Sequence, residues 1–233
     1  MFLEILKHEG PARLGKLKHE DQDVKVEITT PNFFSIFSEE ALLEHDVYLT
    51  SHRSTLNKEN LVVDYGSLYE EKPISRFGIL PDERVGLKVP REMAEYSVEK
   101  TLEFAAKYPG YAAVVQGGRY VDLRRECAEA LKDRPLLAIA DSMEFSSNPR
   151  LLIDIVTTVR DVISPNTALY YPLAPPHMFY LLAYMGVDLF DTGDALLKAR
   201  KGIISTPRGH LRLDEIGELP CTCSICRDGR PED

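Results

Sequence analysis

The sequence predicts an α/β protein: a trimmed (β/α)8 TIM-like barrel followed by a short cysteine-rich segment of the zinc-binding type. Three observations lead there. Short β-branched or apolar runs alternate with longer amphipathic stretches between positions 26 and 192. Most of the runs are continuous and not alternating, as strands buried on both faces of a parallel sheet are. A length of 233 residues suits one large domain of this kind. Periodicity alone does not separate a barrel from an open doubly wound sheet, and about eight strand candidates favour the barrel. The barrel is assigned to 1–215 and the cysteine-rich segment with its tail to 216–233.

In chain order, the candidate strands are 26–29, 47–50, 61–64, 85–89, 112–116, 136–140, 167–171 and 189–192. The first 80 or so residues are the least regular, with frequent Pro, Ser and Asn. Helices are clearer in the second half. The stretch 91–107 follows Pro90 and aligns Val98, Leu102 and Ala105 on one face; 120–132 aligns Leu123, Cys127 and Leu131. The stretch 148–163 opens on Asn148-Pro149, a cap and a proline at the first helical position, and stacks Leu152, Ile155, Val156 and Val159. The stretch 176–185 carries Met178, Leu181, Leu182 and Met185. These stripes read as core faces, which makes Cys127 a buried core thiol and not a ligand. The tail after Cys226 reads as disordered.

No apolar run is long enough to cross a bilayer; the longest uncharged stretch, 163–187, is broken by prolines and His177. The N-terminal residues carry charges within their apolar part and offer no cleavage site for a signal peptide. The sequence therefore predicts a cytoplasmic protein with no membrane partner. The net charge of −9 argues against strong nucleic-acid binding by this chain alone. Two basic clusters, Arg119/Arg124/Arg125 and Lys198/Arg200/Lys201/Arg208/Arg212, read as solvated helix faces offset by neighbouring acids.

Three segments carry candidate chemistry. Gln116-Gly117-Gly118 ends a strand, where barrels bind their ligands; an amide there can pair with a heterocycle edge, and glycines let a flat ring approach the backbone. A tight turn with glycines for steric reasons explains the same pattern. Asp191 ends another strand and suits a nucleophile or a stabiliser of a cationic sugar-like transition state, or else a helix N-cap shared with Thr192 or Asp194. Cys221, Cys223 and Cys226 supply three thiolates for a zinc tetrahedron, with His210 the nearest upstream candidate for the fourth corner.

These pieces occur in the order in which the tRNA-guanine transglycosylase family has them. Gly10 to Leu17 followed by Thr30-Pro31 resembles its A-R-x-G-x-L…T-P opening, and VVQGGRYVDLRRECA at 114–128 resembles its V-Q-G-G…L-R…S-A motif. MGVDLFDTGDALLKAR at 185–200 resembles the archaeal form of G-V-D-x-F-D, and Thr206-Pro207-Arg208-Gly209 leads to a stretch, Pro220 to Cys226, similar to P-C-x-C-x2-C. The match is close from about 90 to 226, and four ordered motifs are far more specific than one. The resemblance implies a TIM-type barrel acting on tRNA, with Asp191 as the nucleophile at the ribose anomeric carbon. It implies Gln116, Gly117 and Gly118 as base-recognition residues, and Cys221, Cys223 and Cys226 as zinc ligands whose fourth partner, a downstream histidine, has no counterpart here.

The departures narrow the resemblance. Asp64-Tyr65-Gly66-Ser67 is the nearest counterpart of the aspartate-serine-glycine segment that carries the second catalytic carboxylate, so Asp64 takes that place. Lys88 stands where archaeal members have an aspartate reading the base edge, and Ala140-Asp141-Ser142 replaces a Gly-Gly; both Lys88 and Asp141 become candidates for holding an amine nucleophile. This pattern resembles the N-terminal transglycosylase-like part of archaeosine synthase in a split form. It implies action on 7-cyano-7-deazaguanine in the tRNA D-arm, with a partner chain bringing a PUA-type RNA-binding domain. The alternatives are a true base-exchanging transglycosylase and a non-catalytic scaffold that binds tRNA or a partner.

Overall fold

The computed structural model describes residues 1–20, 25–36, 47–51, 61–68, 74, 77–206, 209–223, 226–227 and 229. Arg208 of the second basic cluster and most of the predicted disordered tail lie outside them. The chain opens with an antiparallel sheet of β1 (Phe2–Glu9), β2 (Ala12–Glu20) and β3 (Lys25–Thr30). Eight parallel strands follow: β4 (Asn32–Ile36), β5 (Tyr48–Ser51), β6 (Leu61–Asp64), β7 (Gly78–Ile79), β8 (Ala113–Val115), β9 (Leu136–Ile139), β10 (Ala168–Tyr170) and β11 (Leu189–Asp191). Their order is β7-β6-β5-β4-β11-β10-β9-β8. The two ends of this ladder meet where Ile79 bridges Ala112, just ahead of β8, and Leu80 N donates to Ala112 O at 2.9 Å. The sheet is thus a nearly closed barrel, in agreement with the number of strand candidates.

Two of the eight candidates are not barrel strands. Residues 26–29 do form a strand, but β3 pairs antiparallel with β2 outside the barrel. Residues 85–89 form a turn ahead of a helix, with Gly86 at φ +74, outside the extended region of a regular strand. Their places are taken by β4 and β7. β4 mixes Asn32 and Ser35 with its apolar residues and β7 is only two residues long, so neither produces a readable apolar run.

Helices follow the last five barrel strands: α1 (Arg91–Ala105), α2 (Val121–Ala130), α3 (Pro149–Val162), α4 (Phe179–Tyr184) and α5 (Gly193–Ala199). The predicted stripes face the barrel except at Leu181 of α4, which is exposed while Leu182 and Met185 are buried. Leu152, Ile155, Val156 and Val159 of α3 are buried, and the Asn148 side chain caps that helix by accepting from Leu151 N at 3.2 Å. A hairpin of β12 (Ile203–Thr206) and β13 (Gly209–Arg212) then leads to the cysteines.

The period of two along the strands divides the core. Val115, Leu137, Ile139, Leu169 and Phe190 point outward and pack with the helices. Phe34, Leu49, Val62, Val114, Ala138, Tyr170 and Leu189 point inward, and the N-terminal sheet adds Leu3, Leu17, Val26 and Ile28 to that same cluster. The first three strands therefore floor the barrel at the N-terminal ends of its strands. The opposite end, where the strands finish, is left for function.

Candidate active site

A cavity of about 480 Å³ opens at the C-terminal ends of the barrel strands, within the range of small-molecule sites. Its floor is apolar, with Leu49, Ile79, Val114 and Ala138, and its rim is acidic. Asp64 comes from the end of β6, Asp82 from just beyond β7, Asp141 from just beyond β9 and Asp191 from the end of β11; Glu144 stands beside Asp141. Among the described residues that line it, Arg84 is the one cation. Carboxylates accept and do not donate, so this mouth suits a ligand rich in N–H groups or carrying positive charge, and it repels phosphate.

Asp191 is almost wholly buried and fully tied down. Its Oδ2 accepts from the Tyr170 hydroxyl at 2.6 Å and from Leu173 N at 2.7 Å, and its Oδ1 accepts from Gly193 N at 2.6 Å. Burial pushes its pKa up, these three donors pull it back, and the charge of Asp64 adds to the rise. The N-cap alternative is thus partly present in the bond to Gly193, while the side chain also lines the cavity. Asp64 is half-buried, and its Oδ1 accepts from Gly66 N at 2.8 Å in a local turn.

Asp82 is a site residue that sequence reasoning misses. It is buried against the cavity wall, accepts from Gln116 Nε2 at 2.5 Å, and pairs with Arg84 Nε at 3.3 Å. Burial raises its pKa to about 6 against the opposing pull of Arg84 and Gln116. The signal is the same as for Asp191, a carboxylate closing a strand, but β7 is too short to announce itself. Gln116 is fully buried; its amide holds Asp82 and its backbone N donates to Cys127 Sγ at 3.4 Å. Cys127 is a core thiol, as the helix stripe implies, with burial raising its pKa to about 12.

Gly117 and Gly118 have positive φ, +140 and +54. A Cβ on Gly117 would stand 2.8 Å from Arg124 N, and one on Gly118 would stand 3.3 Å from Gly86 O. Their small size serves the packing of α2 and of the turn before α1 against this loop, and neither lines the cavity. The steric account of the pair therefore holds at these positions. Lys88 is exposed and is not among the lining residues, because 85–89 is a turn leading outward to α1 and not a barrel strand.

Asp141 does reach the mouth. It adopts a left-handed backbone at φ +58, and Arg124 Nη2 donates to its Oδ2 at 3.1 Å. Arg124 is completely buried and also donates to the carbonyls of Gly118, Val115 and Ala140, so one guanidinium ties β8, β9 and the rim together. This removes Arg124 from the first basic cluster as a surface group. In the second, Lys198 pairs with Asp194 at 2.7 Å and Arg212 with Asp214 at 2.7 Å.

The three C-terminal cysteines come together, with their sulfur atoms within 4.8 Å of one another. Thiolates on one zinc ion at about 2.3 Å stand close to 3.8 Å apart, so this cluster fits three corners of a tetrahedron. Cys226 N donates to Cys223 Sγ at 3.4 Å, holding the chain around the site. Among the described residues no fourth His, Cys, Asp or Glu joins them, and the His210 ring is engaged with Ser205 on the hairpin.

Comparison with known proteins finds relatives of one kind. The chain is 33% identical to the tRNA-guanine(15) transglycosylase of Methanothermobacter thermautotrophicus over 73% of its own length and 29% of the relative's. It is 34% identical to the protein of that name from Thermococcus kodakarensis over 62% of this chain and 27% of the relative. With the one from Methanobrevibacter smithii, identity is 26% across the whole chain and 43% of the relative. The chain thus spans less than half the length of these curated relatives. No described helix is long and apolar enough to cross a membrane. A family model described as queuine tRNA-ribosyltransferase matches residues 69–232, well over half of the sequence, and the chain belongs to this tRNA-guanine transglycosylase family.

Proposed function

We propose that the barrel mouth takes in a 7-deazaguanine-type base of tRNA, and that the chain works as the transglycosylase-like subunit of an archaeosine synthase. The observation that carries this reading is that Asp64, Asp82, Asp141 and Asp191, from four separate strand ends, line one cavity large enough for a purine-sized ring. A flipped 7-cyano-7-deazaguanine presents N–H donors on its pairing edge, and Asp82, backed by Gln116, is an acceptor held ready for them. Asp191 stands on the ribose side. Asp141, braced by Arg124, is the rim group suited to a cationic amine, the role that Lys88 is placed too far out to fill.

The acidic mouth has nothing for the phosphate backbone, and the cations of both basic clusters are partly consumed in pairs within the fold. A partner chain carrying a PUA-type domain accounts for the missing affinity. Cys221, Cys223 and Cys226 would hold zinc, whose chemistry here is a structural cross-link of the C-terminal segment. A fourth ligand supplied by that partner would complete the tetrahedron.

The juxtaposition of Asp64 and Asp191 at one cavity also favours a second reading, base exchange, which needs two carboxylates on one sugar. Release of radiolabelled guanine from tRNA reports base exchange; conversion of tRNA that already carries the nitrile base, with and without the partner, reports the synthase. Asp191→Ala and Gln116→Ala should each abolish or cut turnover by more than about a hundredfold. Unchanged turnover in both variants places the chemistry elsewhere.

A further inference from the structure

The connections that leave β7, β8 and β9 at the open end of the barrel each lead to an exposed cation. Lys88 and Arg119 stand in the first two, and Arg150 stands in the first turn of the helix that follows the third. These strands are consecutive around the barrel, through the Ile79–Ala112 bridge and the β8–β9 pairing. Among the described residues none of the three cations has an ion-pair partner, whereas Arg91 is answered twice, by Glu95 at 2.8 Å and Asp122 at 2.5 Å. The acids of the same connections are engaged: Asp141 accepts from Arg124, and Glu144 Oε2 accepts from Leu87 N at 3.2 Å. That second bond also fastens the third connection to the first. Arg124 fastens the second to the third, donating to Gly118 O at 3.0 Å and Ala140 O at 3.1 Å. Arg119 lies over the Tyr120 ring, 5.4 Å from its centroid, and the Tyr120 hydroxyl donates to Val89 O at 3.2 Å. The three cations therefore stand on one braced arc outside the acidic mouth.

We propose that Lys88, Arg119 and Arg150 contact the phosphate backbone of the RNA strand that presents its base to the mouth. This rests on tRNA being the ligand, as in the function proposed above. A nucleotide carries two chemistries, a base with N–H donors and an anionic phosphate. The carboxylates of the mouth receive the first and repel the second, so phosphates have to be met outside it. The arc is where unanswered positive charge stands beside the mouth. An acidic protein segment would meet the same three cations, but it brings nothing for the carboxylates it would overlie, and they repel it. Phosphate contacts set the position of a protein on a nucleic acid, and their number sets the salt dependence of binding. Three contacts fix the approach of the strand and leave most of the affinity to the partner chain.

The test is binding of an unmodified tRNA transcript to the intact chain, followed by fluorescence anisotropy across a range of salt concentrations. Lys88→Gln, Arg119→Gln and Arg150→Gln should each flatten the slope of log affinity against log salt by about one unit and weaken binding about threefold to tenfold at low salt. Damage to the fold alone lowers affinity without removing an ion from the slope. Lys132→Gln deletes an exposed cation beyond the far end of α2 and should change neither quantity. Unmoved slopes in two or more of the three variants, an equal loss in Lys132→Gln, or no binding at the lowest salt overturns the arc. Poly-glutamate that binds as tightly as tRNA overturns it too, by making the arc a seat for acidic protein. Failure of the reaction is a separate result: tRNA bound with the expected slopes but not turned over, with or without the partner, overturns the proposed function and leaves the arc standing.

Discussion

Asp82 shows how burial at a single residue links the site to stability. Its proton is held up to about pH 6 in the folded chain, well above the ordinary carboxylate range, because burial outweighs the help of Arg84 and Gln116. The folded state therefore binds more protons than the unfolded state between roughly pH 4 and pH 6, and the contribution of Asp82 to stability falls as pH rises through that window. The shift corresponds to about 3 kcal/mol of penalty once the group is ionised. Asp82→Asn should be near neutral at pH 4 and about 3 kcal/mol more stable than the wild type at pH 7 by urea unfolding, the attraction to Arg84 being already contained in the net shift. Asp191, whose pKa burial also raises, is not among the groups acting on Asp82 and cancels in the difference, whereas Asp141 repels Asp82 and is relieved in Asp82→Asn, which adds to the gain at pH 7. Parallel pH curves would show that Asp82 is not the group responsible. At Gly193, adding one methyl group meets Leu173, Ile36 and Asp191 Oδ1 at once, at 2.3, 2.7 and 2.8 Å. Gly193→Ala should destabilise the fold by about 1–3 kcal/mol and obstruct Oδ1, so a variant that melts like the wild type and retains full turnover contradicts the crowding seen here.

Elements are legible in the sequence in proportion to how much pattern they carry. α3 can be read from its Asn-Pro start and its four-residue stripe because an amphipathic helix of this length repeats its signal several times. β7 cannot, because two residues repeat nothing, and without it the strand pattern slips one segment along to Val85–Val89 and hence to Lys88. Asp191 and Asp64 are legible as strand ends because β11 and β6 are compact apolar runs, whereas Asp82 disappears with its strand. The turn at Gly117-Gly118 is visible as glycines, but not which neighbour requires them, since that depends on where α2 docks. Gly117→Ala tests the docking. Its Cβ would lie 2.8 Å from Arg124 N and 3.0 Å from Leu123 C, backbone atoms at the start of α2, and its φ of +140 strains any L residue. The variant should lose about 2 kcal/mol or more and loosen the Arg124 hold on Asp141, so the amides of α2 should exchange faster than those of α3. Uniform exchange across both helices would mean that the turn does not anchor α2.

The whole molecule works as a barrel closed at one end and open at the other, and the closure rests on one buried ion cluster. Arg13, from β2 of the floor sheet, donates to both carboxylate oxygens of Asp188, through Nε at 2.6 Å to Oδ1 and through Nη2 to Oδ2. The same guanidinium reaches Pro165 O and Thr167 O, where the chain enters β10. Asp188 is fully buried just ahead of β11, its Oδ2 also accepts from Leu169 N at 2.7 Å, and Arg160 stands 3.9 Å away. One aspartate thus joins the floor to β10 and β11, the two strands that end in Tyr170 and Asp191. Replacing Arg13 with Met keeps most of the side-chain volume but leaves the Asp188 charge with the neutral Leu169 N–H and an Arg160 3.9 Å away. Breaking one side of a buried pair costs about 3–5 kcal/mol, which in a chain of this size lowers the melting temperature on the order of 10 °C. Because the floor sheet carries Leu3, Leu17, Val26 and Ile28 into the barrel interior, its amides should lose protection before those of the barrel strands do. Asp188→Asn keeps the acceptor for Leu169 but leaves Arg13 and Arg160 buried close together with no anion between them, so it should cost about as much as Arg13→Met. Losses below about 1 kcal/mol in both variants would show that the floor is held by shape and not by charge.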